Sequence, residues 1–316
     1  MESIKNFITS IKYRGKIGLY LFIFILKIYK YLTNYILPNH IYLSRKFKFY
    51  HGYKLDWKNL RTLNEKIQWM KINDRNPLFT QLSDKLRVRE FISKKFGDEY
   101  LIPLVFSTRN INELNLEKFP DFPVIVKANH DSGNFRIIRN KYVIDFEKLK
   151  ADAKIWLSFN YYYEDREWPY KNIEPSIVVE KLLITKEGKI PNDYKLNFIN
   201  GNLEFVYVAF DREGENKRKI VDANWNDLPF KWAKKSYFKT KFTNVDIPVP
   251  PTFELMKKFG AEIAKMYRYV RVDFYDVDGV LYFGEITQYH GGGFDTFEPL
   301  DFDFHFGSMI DLTHDR

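Results

Sequence analysis

Two stretches that read as hairpins constrain the fold of this chain most: "DYKLNFINGNLEFVYVAF" (Asp193–Phe210) and "VRVDFYDVDGVLYFGEIT" (Val270–Thr287). Each alternates with period 2 around a central turn signal, Asn200–Asn202 in the first and Val277–Asp278–Gly279 in the second. Helical patterns lie between them and before them: "TLNEKIQWMK", "LSDKLRVREFISKKFG", residues 146–160 and "TFELMKKFGAEIAKMY". Hairpins without regular strand–helix alternation predict an α+β fold rather than a doubly wound parallel sheet. Thr62 and Glu65 form a T-x-x-E capping box at the first helix, and "LSDKLRVREFISKKFG" reads as one helix ending at Gly97. Residues 211–247 are charged and aromatic with little periodicity, and read as an inserted loop region or lid.

Composition supports this. The chain has 316 residues, 45% of them hydrophobic and 18% aromatic, enough to bury one large core or several smaller ones. It has no cysteine, which excludes disulfides, thiolate metal sites and cysteine nucleophiles. The net charge of +9 suggests nucleic acid until it is located. Residues 1–50 hold seven Lys and two Arg against Glu2, a balance of +8, so the other 266 residues carry about +1. No nucleic-acid partner is expected. The apolar run Ile17–Leu26 is about half of the ~20 residues needed to span a bilayer. Extending it to Leu37 buries Lys27 and Lys30 at a cost of about 2.5–3.5 kcal/mol each. Residues 1–50 therefore read as a helical segment for an anionic membrane surface, with packing on the protein's own body as the competing reading.

No P-loop, dinucleotide fingerprint, nucleophile elbow or H-E-x-x-H occurs, and the six histidines lack metal-ligand spacing. Four pieces remain. In "VIVKANHDSGN", Lys127 ends an apolar strand beside a glycine turn, where an ammonium faces either a phosphate or plain solvent. In "VVEK", Glu180 ends another apolar strand, as an edge, a cap or a ligand contact. In "DYKLNF", Asp193, Lys195 and Asn197 share one face. In the last hairpin, a three-residue turn places Arg271 opposite Glu285 with Asp273 diagonal. The two acids can then share a divalent ion with oxygen ligands, or pair with Arg271 as a surface salt bridge; a two-residue turn puts them on opposite faces.

The order of these parts resembles the ATP-grasp superfamily, and more closely the TupA-like ATP-grasp family of bacterial polysaccharide biosynthesis. The resemblance rests on "LNEKIQWMKINDRNPLFTQLSDK", "VIVKANHDSG", "YYYEDREWPYKNI", "VVEK", "DYK" and "VRVDFY" with "YFGEIT", and runs from about Thr62 to Asp311. It implies two subdomains gripping ATP, with residues 1–60 a basic helical segment, 61–120 an N-terminal subdomain, 121–185 the nucleotide-binding subdomain and 186–316 the catalytic subdomain. Lys85 and Lys127 match the lysines that hold the nucleotide phosphates. Asn129–Asn134, with Ser132 and Gly133, matches the flap over them. Glu180 and the backbone of Lys181–Leu183 match the hinge that receives adenine, and Asp193 the position near the ribose. Lys195 matches a basic residue near the transferring phosphate, and Asp273 and Glu285 the Mg²⁺ carboxylates. Arg271 and the Gly291–Gly293 loop lie where an acceptor carboxylate is held. The pattern departs at Thr287, where the superfamily often has Asn, a better metal ligand than a hydroxyl.

The activity this resemblance implies is an ADP-forming carboxylate–amine ligase. Its partners would be a glycan or nucleotide-sugar carboxylate, such as a uronic acid, and an amine donor, at the cytoplasmic face of a bacterial membrane. One alternative is a glycosyltransferase of capsule or lipopolysaccharide synthesis, whose local support is the D-x-D of Asp301–Asp303. Another is a non-catalytic membrane-bound glycan-binding protein; a kinase on the same fold shares the phosphate contacts.

Overall fold

The computed structural model describes residues 15–238 and 241–313. Helix α1 (Gly15–Ile36) stops before Pro38, which precedes α2 (Asn39–His51). Leu19, Phe22 and Ile23 of α1 are buried. The other side of α1 is apolar and open to solvent, with Ile17 at 85% exposure, Phe24 at 60% and Tyr20, Leu21 and Tyr31 beside them. Among the described residues no helix is long and apolar enough to cross a membrane. Leu43 and Phe47 of α2 pack against Leu55 and Phe294.

Helix α3 (Leu63–Asn73) begins with the expected capping box: Thr62 Oγ1 accepts from Glu65 N at 3.1 Å and Glu65 Oε2 accepts from Thr62 N at 2.9 Å. Such a cap stabilises by about 1 kcal/mol. The single helix expected over "LSDKLRVREFISKKFG" is instead two, α4 (Pro77–Ser83) and α5 (Val88–Lys95). The cause is Asp84, whose Oδ1 takes the N–H of Leu86 at 2.9 Å and of Arg87 at 3.3 Å, replacing helical bonds with a side-chain turn. The break gives Lys85 a direction that a continuous helix would not.

Two antiparallel sheets follow. The first contains β1 (Leu104–Thr108), β2 (Val124–Ala128), β3 (Phe135–Ile138) and β4 (Ile177–Lys181), in the order β1-β4-β2-β3. Helix α6 (Phe146–Ser158) covers it, with Leu149, Ala153 and Trp156 in one core with Val126 and Val179. Short α7 (Tyr162–Asp165) connects onward to β4. The second sheet contains β5 (Asp193–Ile199), β6 (Asn202–Phe210), β7 (Lys217–Val221), β9 (Tyr269–Val277) and β10 (Val280–Thr287), ordered β10-β9-β5-β6-β7. Helix α8 (Phe253–Ala264) packs on one face through Met256 and Ile263, against Leu196, Val270 and Val272. Full burial of each such side chain contributes about 1.5–3 kcal/mol, so this face fixes which residues point the other way. The 211–247 stretch is less irregular than its composition suggests, since it supplies β7 and also β8 (Lys231–Ala233), which pairs with β11 (Thr296–Glu298). Helix α9 (Asp301–Ser308) closes the fold.

Candidate active site

The acid pair depends on a register device that the hairpin pattern hides. Val277 pairs with Val280, so the turn is the two-residue Asp278–Gly279, with φ of 54° and 87°, and not the expected three-residue turn. A plain two-residue hairpin would set Glu285 opposite Val272, on the core face. A bulge between Phe283 and Glu285 adds one residue, and the pairing resumes as Glu285 opposite Asp273 and Thr287 opposite Arg271. Arg271 is therefore not opposite Glu285; the two acids face each other directly. Gly284 is the extra residue, and a Cβ there would lie 2.9 Å from the Asp273 carbonyl oxygen.

The same face of β5 brings Lys195 opposite Asp273. Lys195 Nζ bonds Asp193 Oδ2 and Asp273 Oδ2, each at 2.6 Å. Arg271 lies behind the acids, with Nε 2.7 Å from Asp273 Oδ1 and Nη2 2.8 Å from both Asp273 Oδ2 and Glu285 Oε1. Its Nη1 meets His290 Nδ1 at 2.9 Å, and burial pushes His290 down to about 4, so the ring accepts as a neutral imidazole. Burial alone would raise the Glu285 carboxyl, but Lys85, Arg271, Lys195 and Lys127 outweigh it and hold the group down at about 2. Glu285 is thus a carboxylate at any physiological pH. Burial raises Asp273, against the opposing pull of Arg271 and Lys195.

Lys127 answers to Glu180. The two strands run antiparallel, and Lys127 Nζ sits 2.6 Å from Glu180 Oε2 while Arg89 Nη1 holds Oε1 at 3.2 Å. Lys85 donates Nζ to the Asp131 carbonyl, and its Nζ lies 4.0 Å from Glu285 Oε2. The flap is pinned at its root and open at its tip. Asn129 Nδ2 bonds Asp84 Oδ1 at 2.9 Å, its Oδ1 accepts from Ser176 N at 2.7 Å, and His130 Nε2 meets the Phe159 carbonyl at 2.7 Å. Ser132, Gly133 and Asn134 are exposed. At the hinge, Lys181 N donates to Pro103 O at 2.9 Å and Leu182 N to Pro123 O at 3.0 Å. Among the described residues, the Leu183 N–H has no protein acceptor.

Lys85, Lys127, Ser132, Gly133, Glu180, Lys181, Leu183, Asp193, Lys195, Asp273 and Glu285 line one cavity of about 850 Å³ between the two sheets, whereas Arg271, Asn129, His130 and the Gly291–Gly293 loop do not. Apolar walls from Ile125, Ile138 and Leu182 continue it away from the acids, the balance of an apolar pocket with a few fixed polar groups. Sequence reasoning missed Arg89 and Arg212. Arg212 Nη1 bonds Asp193 Oδ2 at 2.7 Å. Its position three residues past Ala209, the partner of Asp193, was a signal available once β5 and β6 were paired.

Mg²⁺ fits the donor set. Asp273 and Glu285 offer hard oxygens side by side, and the buried Asp193 Oδ1 has no hydrogen-bond partner among the described residues. No group of three or more His, Asp or Glu forms a self-sufficient metal cage among the described residues. A magnesium ion held by one or two carboxylates and completed by phosphate oxygens does not need one.

The D-x-D of Asp301–Asp303 lies elsewhere. It opens a helix. Asp303 is fully buried, accepting Asn64 N and Nδ2 at 2.9 Å each.

Residues 65–311 match the family model described as TupA-like ATPgrasp. No curated protein matches. Among solved structures, the chain is similar to D-alanine–D-alanine ligase from Bacillus anthracis, at 16% identity and TM-score 0.36 over 66% of this chain and 56% of that one. It is also similar to phosphoribosylamine–glycine ligase from Thermotoga maritima, at 13% and 0.36 over 67% and 49%. A third is the ATP-grasp ligase PsnB complexed with a phosphomimetic variant of minimal precursor, Mg and ADP, at 11% and 0.41 over 79% and 62%. The chain thus spans less than two thirds of the length of each.

Proposed function

The chain belongs to the TupA-like ATP-grasp family, and from that premise we propose that it is an ADP-forming carboxylate–amine ligase working on a surface-polysaccharide precursor such as a uronic acid. One observation carries the reading. Lys85, Lys127 and Lys195 converge with Asp193, Asp273 and Glu285 on a single cleft large enough for a nucleotide.

In this reading the adenine lies against the apolar wall and accepts from the Leu183 N–H, with Glu180 beside it. Asp193 lies near the ribose. Lys127 and Lys85 neutralise the β- and γ-phosphates beneath the flap. Asp273 and Glu285 would hold magnesium, which would withdraw charge from the phosphates. A carboxylate oxygen attacks the γ-phosphorus, its bond to ADP breaks, and an acyl phosphate results. The amine nitrogen then attacks the carbonyl carbon, the C–O bond breaks, phosphate leaves, and the amine proton passes to solvent. Lys195 faces the transferring phosphoryl group. The contacts of Arg271 go to the two acids and His290, so its charge compensates the developing phosphoryl charge from behind them. The carboxylate clamp implied for it would require those bonds to exchange.

The polysaccharide assignment rests on the family's setting, an argument by analogy. Two features support attachment to the inner face of a bacterial membrane: the exposed apolar face of α1 and the +8 balance of residues 1–50. The D-x-D alternative gains no support from a buried Asp303.

The test is ligand protection followed by turnover. Mg·ATP should raise the melting temperature and a sugar nucleotide should not; a ligand at a hundred times its Kd stabilises by about 2.7 kcal/mol. ADP release is then screened over uronic acids and amines, with a new amide read by mass spectrometry. Protection by a sugar nucleotide alone would sink the ligase reading.

A further inference from the structure

Ser132 and Asn134 belong to two cavities at once. One side of the flap tip faces the nucleotide cleft; the other faces a second cavity of about 340 Å³. Across from the flap this second cavity is bounded by Gly291 and Asp295 of the glycine loop, and laterally by Lys46 and Tyr50 of α2. Those two α2 residues precede residue 65, where the family match begins. This part of the wall lies outside the residues that the family model matches.

The chemistry of the walls is lopsided. Three carboxylates, Glu164, Asp165 and Asp295, meet two lysines, Lys46 and Lys234. Lys46 is committed: its Nζ bonds Asp165 Oδ1 and donates to the Glu164 carbonyl at 2.8 Å. Asp295 lies 3.3 Å from His290 Nε2, and that ring is the neutral one behind Arg271. Glu164 keeps a side chain 57% exposed, 4.0 Å from Lys46. After the Lys46–Asp165 pair is removed from the balance, two carboxylates stand against Lys234 alone. The aromatic faces of Tyr50 and Tyr161 complete the wall, surfaces that attract a cation or stack on a sugar ring.

We infer that this second cavity receives the amine co-substrate, as a hydroxylated ammonium compound of about amino-sugar size. The ammonium loses one proton to solvent on leaving the carboxylates, and the neutral nitrogen passes the flap tip to the phosphate end of the cleft. The inference rests on the ligase reading for the identity of the reaction, but the cavity's preference for an ammonium follows from its own charges. An anion would meet a wall with one carboxylate in excess there; an ammonium meets Glu164, Asp295 and two tyrosines.

D-glucosamine, L-lysine and ethanolamine are titrated into the full chain with Mg²⁺ and a non-hydrolysable ATP analogue, and followed by calorimetry. At least one should bind. Glu164→Gln and Asp295→Asn should each weaken it about tenfold, Lys234→Ala should tighten it, and N-acetylglucosamine should bind at least about tenfold more weakly than glucosamine. Glu164 is a rim residue, so its substitution leaves the fold undisturbed. The inference is overturned if none of the three amines binds, if Glu164→Gln binds as wild type does, or if acetylation makes no difference. A parallel assay keeps the two readings apart. Hydroxylamine is small and uncharged at neutral pH, and traps an acyl phosphate without needing the cavity. Hydroxamate formed equally by wild type and Glu164→Gln, with amine binding lost in the variant, supports the inference. No hydroxamate from wild type with any uronic acid counts against the ligase reading, and leaves the cavity to be judged by the titration.

Discussion

Gly284→Ala tests whether the bulge sets Asp273 and Glu285 face to face. The added Cβ would lie 2.9 Å from Asp273 O, 3.2 Å from Asp273 C and 3.2 Å from Tyr275 Cε2. The two nearest atoms are backbone, so no side-chain rotation relieves the contact, and β9 and β10 must separate by a few tenths of an ångström. Overpacking of this kind costs about 1–3 kcal/mol. A 1 Å misplacement of a reacting group costs about 10²-fold in rate; scaled to this shift, ADP release should fall about fivefold. Urea unfolding gives the first quantity and ADP release at saturating ATP the second. Deleting Gly284 is the harsher version, since Glu285 then pairs with Val272 and turns into the core, and turnover should vanish. A Gly284→Ala protein with wild-type midpoint and wild-type turnover would refute the reasoning.

Asp273→Asn should lower ADP release at least about 10²-fold and remove the thermal protection by Mg·ATP while the far-ultraviolet spectrum stays native; undiminished ADP release would withdraw the metal assignment. Asp303→Asn should cost about 1–3 kcal/mol by weakening the Asn64 contacts and leave ADP release unchanged, whereas a turnover defect at native stability would revive a functional D-x-D. Burial, with Glu65 adding and the Asn64 bonds opposing, raises the Asp303 carboxyl from 3.8 to about 7. Its contribution to stability is then full below about 3.8 and lost as pH rises to about 7. The stability gap between wild type and Asp303→Asn should narrow over that window, and a constant gap would contradict the assignment. Deleting residues 1–37 should release the protein from phosphatidylglycerol vesicles and spare ATP binding; retained vesicle binding would remove the membrane reading.

The parts of the site legible in the sequence were those where local pattern and chemistry coincide. Lys127 and Glu180 each stand one residue from the end of an apolar strand, and period-2 alternation places Asp193 and Lys195 on one face whatever lies around them. The capping box at Thr62 was legible because it is complete within four residues. What stayed hidden depended on single-residue parity or on distant partners. One bulge residue moves Glu285 between faces, and nothing in "YFGEIT" marks Gly284 as that residue until the pairing is seen. Asp84 breaks a helix that its neighbours' periodicity favours, because a short side chain competes for two N–H groups. Arg212 lines the cleft from a loop and Arg89 holds Glu180 from a helix, and packing sets the positions of both elements. Asp301–Asp303 offered local support for a glycosyltransferase because burial is invisible in a D-x-D.

The flap's uneven anchoring governs traffic through the cleft. Asn129 and His130 are fastened to three separate stretches of chain and Lys85 holds the Asp131 carbonyl, so the exposed part of the loop begins at Ser132. In the reaction proposed above, only the short exposed arch Ser132–Asn134 has to lift for a nucleotide to enter or ADP to leave. Because that arch also walls the neighbouring cavity, one small movement opens both chambers together.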